Sequence, residues 1–139
     1  MYDRQSSSPR LARGLCLAIT EDPRLRALLD TALEACGAGV MSFATAEQAT
    51  AWIWHVAPPL IVCDTTLEGP DGLDPYRGVA AVARDRSVPI LAITPWRELM
   101  FARDHFLLRE GLCCSVVFRP FDDALLLDEV ERFFRAPRV

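Results

Sequence analysis

The chain has 139 residues and a mass of 15.5 kDa, a length that suits one compact domain without a fused output module of ordinary size. Hydrophobic residues make up 51% and charged residues 24%, which is typical of a folded globular protein and excludes an intrinsically disordered chain. The net charge of −4 excludes a generally basic surface, so we expect no direct binding of nucleic acid. All 15 residues counted as Lys or Arg are Arg, which excludes chemistry that needs a lysine.

The five cysteines are odd in number and lack the paired spacing of zinc sites, so we interpret them as buried thiols in a reducing compartment. Residues 1–13 are polar and are predicted to form a flexible tail, either natural or a cloning remnant, before one domain over residues 14–136. No apolar run could span a membrane, and the amino terminus lacks the apolar core of a signal peptide. We therefore expect a cytoplasmic protein that does not bind membranes.

The first half of the chain alternates short apolar runs with segments whose apolar residues recur at helical spacing. The predicted elements are a strand over Leu15–Ile19, a helix from Pro23 to Cys36, a strand over Val40–Phe43 and a helix from Thr45 to about Val56. Asp22 is the predicted N-cap of the first helix, and Gly37 ends that helix. Trp52 and Trp54 lie two positions apart on the second helix and therefore cannot both face the core.

The second half repeats the alternation. The predicted elements are a strand over Leu60–Cys63, a polar loop, a helix ending near Asp85, a strand over Pro89–Ile93, a helix from Trp96 to about Arg109, a strand over Ser115–Phe118 and a helix from Asp122 to about Arg135. Short, wholly apolar strands separated by helices predict an α/β domain with a doubly wound, five-stranded parallel sheet and helices on both faces.

Polar residues follow four of the predicted strands, at the edge where such sheets bind ligands. These residues are Thr20, Glu21 and Asp22 after the first strand, Asp64 after the third, Thr94 after the fourth, and Arg119 with Pro120 after the fifth. Carboxylates suit Mg²⁺, whereas hydroxyl and guanidinium groups suit phosphate oxygens. The arrangement therefore indicates a candidate site for a divalent metal and a phosphoryl group.

From about Leu15 to Phe134 the sequence resembles the receiver domains of bacterial response regulators, the CheY-like family. The matching residues are the strand that ends in Asp64, the following Leu67 and Asp71-Gly72, Thr94, and Arg119-Pro120-Phe121 where the family has a Lys-Pro-Phe turn. The resemblance implies a flavodoxin-like sheet with strand order 2-1-3-4-5. It also implies a cis peptide bond before Pro120.

The resemblance further implies that Asp64 accepts a phosphoryl group from a sensor histidine kinase or a phosphotransfer protein. Mg²⁺ would be held by Glu21, Asp64 and the backbone of Thr66, with Asp22 or Thr20 as alternative ligands. Thr94, Arg119 and Pro120 would bind the phosphoryl group and switch the domain, and Val116 and Phe118 would lie on the switch face. The fourth helix, fifth strand and fifth helix would contact a downstream protein partner or a second copy of the chain.

Several residues depart from the family pattern. Thr20 stands at the first of two acidic positions, which predicts weaker binding of Mg²⁺, and Arg119 replaces a lysine. A constitutive pair between Arg119 and Asp64 could mimic or block activation. Val116 replaces an aromatic residue, for which Phe118 could substitute, and Pro95 follows Thr94 where a small residue is common.

The leading interpretation is a single-domain receiver that is phosphorylated on Asp64 and is not an enzyme with substrate turnover. The alternative is a pseudo-receiver, a binding or dimerisation module that works without phosphorylation. If these residues have structural roles alone, Asp64 caps a loop turn and Asp22 caps the first helix. A flavodoxin-like enzyme or nucleotide binder is disfavoured because no glycine-rich loop follows the first strand.

Overall fold

The computed structural model describes residues 14–67, 73–95 and 106–135 of the chain. In these ranges strands and helices alternate, as the sequence predicts. The elements are β1 (Leu15–Ile19), α1 (Pro23–Ala35), β2 (Gly39–Phe43), α2 (Ala46–His55), β3 (Ile61–Asp64), α3 (Asp74–Asp85), β4 (Ile90–Thr94), α4 (Phe106–Arg109), β5 (Ser115–Phe118) and α5 (Asp123–Arg135). Residues 1–13 and 96–105, which include the predicted tail and most of the predicted fourth helix, lie outside the described residues.

The strands form one parallel sheet in the order β2-β1-β3-β4-β5, which confirms the predicted order 2-1-3-4-5 and the doubly wound α/β fold. Every residue of β3 and β4 is buried, since both faces of these central strands are covered by helices. β3 and β4 each begin and end one residue later than predicted. Asp64 and Thr94 therefore belong to the ladder, opposite Ile93 and Phe118 respectively.

Two apolar layers cover the sheet. On one face, α2, α3 and Leu107 of α4 pack against alternate strand residues such as Leu17 and Ile61. On the other face, α1 and α5 pack against the intervening residues, among them Ala18 and Val62. Because the strands are parallel, the polar residues at the carboxyl ends of β1, β3, β4 and β5 lie at one edge of the sheet, with the helices as rigid supports.

The boundaries of α1 and α2 follow from local hydrogen bonding. Asp22 accepts hydrogen bonds from the backbone N–H groups of Arg24 at 2.9 Å and Leu25 at 3.4 Å, and so caps α1 as predicted. After α1, Gly37 adopts φ +84°, a left-handed conformation that glycine tolerates at a helix end. Thr45 caps α2 by accepting from the N–H of Gln48.

The two tryptophans of α2 differ in environment, as their spacing predicts. Trp54 is 51% exposed, whereas Trp52 is partly buried against the core and lies 6.3 Å from Phe43 between ring centroids. Across the described part of the chain, the helices are all too short or too polar to cross a lipid bilayer.

Candidate functional site

The fold brings the predicted polar residues to one edge of the sheet, around an open cavity of about 330 Å³. The cavity is lined by Glu21, Asp22, Asp64, Thr66, Leu67 and Arg119. Glu21 and Asp22 come from the β1–α1 loop, whereas Asp64 ends the neighbouring strand β3 and Arg119 follows the edge strand β5. Parallel pairing therefore joins residues that are far apart in the sequence.

Asp64 lies at the base of this cavity, with a side chain that is 9% exposed. Its Oδ1 accepts hydrogen bonds from the backbone N–H of Thr66 at 3.3 Å and from the Thr66 hydroxyl at 2.9 Å. Its Oδ2 accepts from the Thr20 hydroxyl at 3.1 Å and from Arg119 Nη2 at 2.8 Å. The Asp64 carboxylate thus has four protein donors. Its hydrogen bond from the Thr66 N–H also caps the loop turn, which is the purely structural role predicted for Asp64.

Arg119 bridges two carboxylates. Its Nη1 lies 3.1 Å from Asp22 Oδ2 and its Nη2 lies 2.8 Å from Asp64 Oδ2, an arrangement that we call the Arg119 clamp. The guanidinium carbon lies 5.7 Å from the centre of the Phe121 ring, within the range of a cation–π contact. The backbone N–H of Arg119 donates to the Thr94 carbonyl at 2.8 Å, and the peptide bond to Pro120 is cis, as expected.

Asp22 combines a structural role with an ionic one. It caps α1 and also pairs with Arg119, so the sequence interpretation as an N-cap is confirmed but incomplete. Partial desolvation raises its pKa, but the N–H groups of Leu25 and Arg24 and the Arg119 guanidinium outweigh that effect and lower the pKa below 3.8. Asp22 therefore stays ionised and supplies a stable anionic partner for Arg119.

Thr20 connects the β1–α1 loop to Asp64. Its hydroxyl donates to Asp64 Oδ2 and accepts from the backbone N–H of Asp22 at 3.0 Å, and the residue is buried. The threonine at the first expected acidic position therefore adds a donor to Asp64. Sequence reasoning missed this bond and the pairing of Asp22 with Arg119, although a hydroxyl and an acidic side chain beside the site were signals for both.

The remaining predicted residues lie around the cavity or on the neighbouring face. Thr94 is fully buried at the end of β4, and Glu21 is exposed at the rim. Val116 and Phe118 are half-buried on β5 and line a groove of about 480 Å³ that extends over α5. Pro120 also lines this groove, so the groove begins directly beside the Arg119 clamp.

The residues present do not fit Mg²⁺ well. The space between Asp22 and Asp64 holds the Arg119 guanidinium, and each oxygen of Asp64 already accepts two hydrogen bonds. Thr20 supplies a hydroxyl where a further carboxylate is expected. Over residues 14–67, 73–95 and 106–135, no group of three or more His, Cys, Asp or Glu side chains is arranged to hold a metal ion.

Comparison with solved structures identifies the fold. A putative response regulator from Chloroflexus aurantiacus superposes with a TM-score of 0.67 at 22% sequence identity, over 88% of this chain and 98% of that one. The chain has the receiver-domain fold. At this identity the likeness establishes the architecture, and the chemistry must be argued from the residues of the site.

Two further solved structures show the same likeness. The receiver domain of a sensor histidine kinase from Pseudomonas aeruginosa, with a magnesium ion in its active-site cleft, gives a TM-score of 0.64 at 23% identity over 88% of this chain and 98% of that one. The N-terminal domain of a nisin resistance regulator gives 0.68 at 21% identity over 88% and 99%. No protein-family model and no curated protein sequence matches the chain.

Proposed function

We propose that the chain is a pseudo-receiver, a signalling domain that works through contacts with other proteins and does not accept a phosphoryl group. The observation that carries this proposal is the Arg119 clamp on Asp64. To attack phosphorus, Asp64 needs a lone pair directed into the cavity and a cation placed against the phosphoryl oxygens. Each Asp64 oxygen accepts two protein hydrogen bonds, and the nearby cation is divided between two carboxylates.

The exchange of lysine for arginine supports this proposal. An ammonium group is a compact point charge that can turn from one oxygen to another, whereas the planar guanidinium holds two carboxylates in a fixed fork. The Arg119 side chain is only 25% exposed and also lies near the Phe121 ring. Displacing it would leave Asp64 as a buried charge without its counter-ion, which is costly.

We propose that protein partners bind over the groove beside β5. Its lining combines half-buried Val116 and Phe118 with Leu125, which is 53% exposed. An exposed apolar residue beside a groove suits a protein contact, either with a downstream partner or with a second copy of the chain. The net charge of −4 disfavours direct binding of DNA. We further propose a cytoplasmic location.

The second candidate is a phosphorylated receiver, in which Asp64 accepts the phosphoryl group from a sensor histidine kinase or a phosphotransfer protein. The specific observation in its favour is that Asp64 and Arg119 line an open cavity, with Thr94 at the end of the adjacent strand. In that case, Arg119 would turn from Asp64 to the phosphoryl oxygens, and Mg²⁺ would need Glu21, Asp64 and the Thr66 backbone as ligands.

Intact-mass spectrometry distinguishes the two candidates. The wild-type chain is incubated with acetyl phosphate and Mg²⁺ beside an established receiver domain that becomes labelled under the same conditions. We expect no phosphoryl adduct on the wild type. An adduct that disappears in Asp64→Asn would contradict the proposal and show that Asp64 can accept a phosphoryl group, as the second candidate requires.

Two variants identify which residues block the reaction. Arg119→Lys restores a mobile point charge, and Thr20→Asp together with Arg119→Lys also restores the expected acidic residue. If the clamp blocks Asp64, we expect labelling to appear in Arg119→Lys and to increase in the double variant. Asp64→Asn introduced into the double variant is the matched control for the site of labelling.

A further inference from the structure

We propose that the Arg119 guanidinium is the resident cation of this site and excludes divalent metal ions from the wild-type chain. The inference concerns the same cavity as the proposed function, but it does not depend on whether Asp64 can be phosphorylated. It also predicts that shortening Arg119 turns the cavity into a divalent cation site.

The charge distribution around the cavity supports this inference. The cavity is lined by three carboxylates, those of Glu21, Asp22 and Asp64. Among the described residues that line it, Arg119 carries the one positive charge. Carboxylates that share one cavity repel one another unless a cation lies between them. The distances of 3.1 Å to Asp22 and 2.8 Å to Asp64 place the guanidinium in that position.

The coordination available to an incoming metal ion is restricted. Mg²⁺ requires close oxygen ligands in nearly ideal octahedral geometry. Asp64 Oδ2 already accepts from Arg119 and Thr20, and Asp22 Oδ2 accepts from Arg119. A divalent ion at these oxygens would therefore lie within contact distance of the positive guanidinium, and the repulsion between the two cations opposes its binding.

The burial of Asp64 also favours a resident counter-ion. Because the Asp64 side chain is 9% exposed, its charge needs a nearby counter-ion in the folded state. Arg119→Ala removes that counter-ion while leaving all three carboxylates and opening the space between them. We expect the vacated space to admit Mg²⁺ or Mn²⁺ held by one or two of these carboxylates with water as the other ligands, because the described residues offer no set of three acids arranged around an ion.

Thermal unfolding with increasing MgCl₂ or MnCl₂ tests this inference, with NaCl at equal ionic strength as the salt control. We expect no metal-specific change in the Tm of the wild type. In Arg119→Ala we expect Tm to rise by about 4 °C at a metal concentration ten times the dissociation constant. Adding Asp22→Asn or Asp64→Asn to Arg119→Ala should abolish the rise.

Electron paramagnetic resonance of Mn²⁺ tests the wild type without relying on a variant. We expect the free Mn²⁺ signal to persist when wild-type chain is added. Loss of the free Mn²⁺ signal when an equimolar amount of wild-type chain is added would overturn the inference. The inference would also be overturned if the Arg119→Ala chain folds but its Tm shows no metal-specific rise. If acetyl phosphate labels the wild type but the wild type binds no metal, the proposed function alone is contradicted. If the wild type binds Mn²⁺ but is not labelled, this inference alone is contradicted.

Discussion

Arg119 determines how the carboxylates at the edge of the sheet are neutralised. Its two nitrogens contact Asp22 and Asp64, which lie 97 and 55 residues away in the sequence. The sequence predicts that Arg119 and Asp64 are close, since both lie at the carboxyl ends of strands of one parallel sheet, β5 and β3, which flank β4. It does not predict that Asp22 completes the clamp, because the helix cap gives that carboxylate a sufficient local role and side-chain rotamers depend on the assembled site.

The pairing of Asp22 predicts a specific response to acid. The pKa of Asp22 in the folded chain lies below 3.8. The ionised carboxylate therefore stabilises the folded chain at higher pH, and this stabilisation is lost as the pH falls through the pKa of the folded state. Asn caps helices about as well as Asp but cannot pair with Arg119. The variant Asp22→Asn therefore isolates the ionic contact from the cap.

We expect the wild type to have a larger free energy of unfolding than Asp22→Asn near neutral pH. This difference should stay constant down to about pH 5 and then shrink, because the unfolded chain protonates Asp22 at a higher pH than the folded chain does. Urea unfolding between pH 3 and pH 7 measures it, if both chains remain folded at the lowest pH used. A difference that grows toward acid pH would contradict the assigned direction of the pKa shift.

At the scale of the elements, local patterns predict the helices well and the strand ends less well. The cap by Asp22 and the left-handed Gly37 mark α1 because both signals act within one turn of the chain. β3 and β4 end one residue later than their apolar runs because Asp64 and Thr94 pair with neighbouring strands. That pairing depends on register, which is not encoded in the polarity of a single residue.

The helix α2 offers a matched pair of substitutions. Trp52 packs against Phe43 and the core, whereas Trp54 is 51% exposed. We expect Trp52→Ala to lower the free energy of unfolding by about 2 kcal/mol, since it removes a partly buried ring. Trp54→Ala should change it by less than about 0.5 kcal/mol. Denaturant unfolding monitored by circular dichroism measures the free energy of unfolding of both variants. Equal losses of stability would show that α2 presents a different face to the core.

At the scale of the whole molecule, apolar runs and their spacing predict the five-stranded parallel sheet. The runs of β3 and β4 are apolar on both faces, and this requires helices on both sides of the sheet. The site is predicted as a set of residues but not as a network of bonds. Thr20 and Arg119 stand where the resemblance to receiver domains implies an acid and a lysine, and only the geometry indicates that both contact the same oxygen of Asp64.

A crystal structure of the chain grown with Mg²⁺ and beryllofluoride tests the central claim most directly. Beryllofluoride mimics a phosphoryl group on a receptive aspartate, so it reports both the metal and the acceptor at once. We predict Arg119 between Asp22 and Asp64, with neither ligand bound at Asp64. A beryllofluoride group on Asp64 with Mg²⁺ beside it and Arg119 turned away would contradict the account.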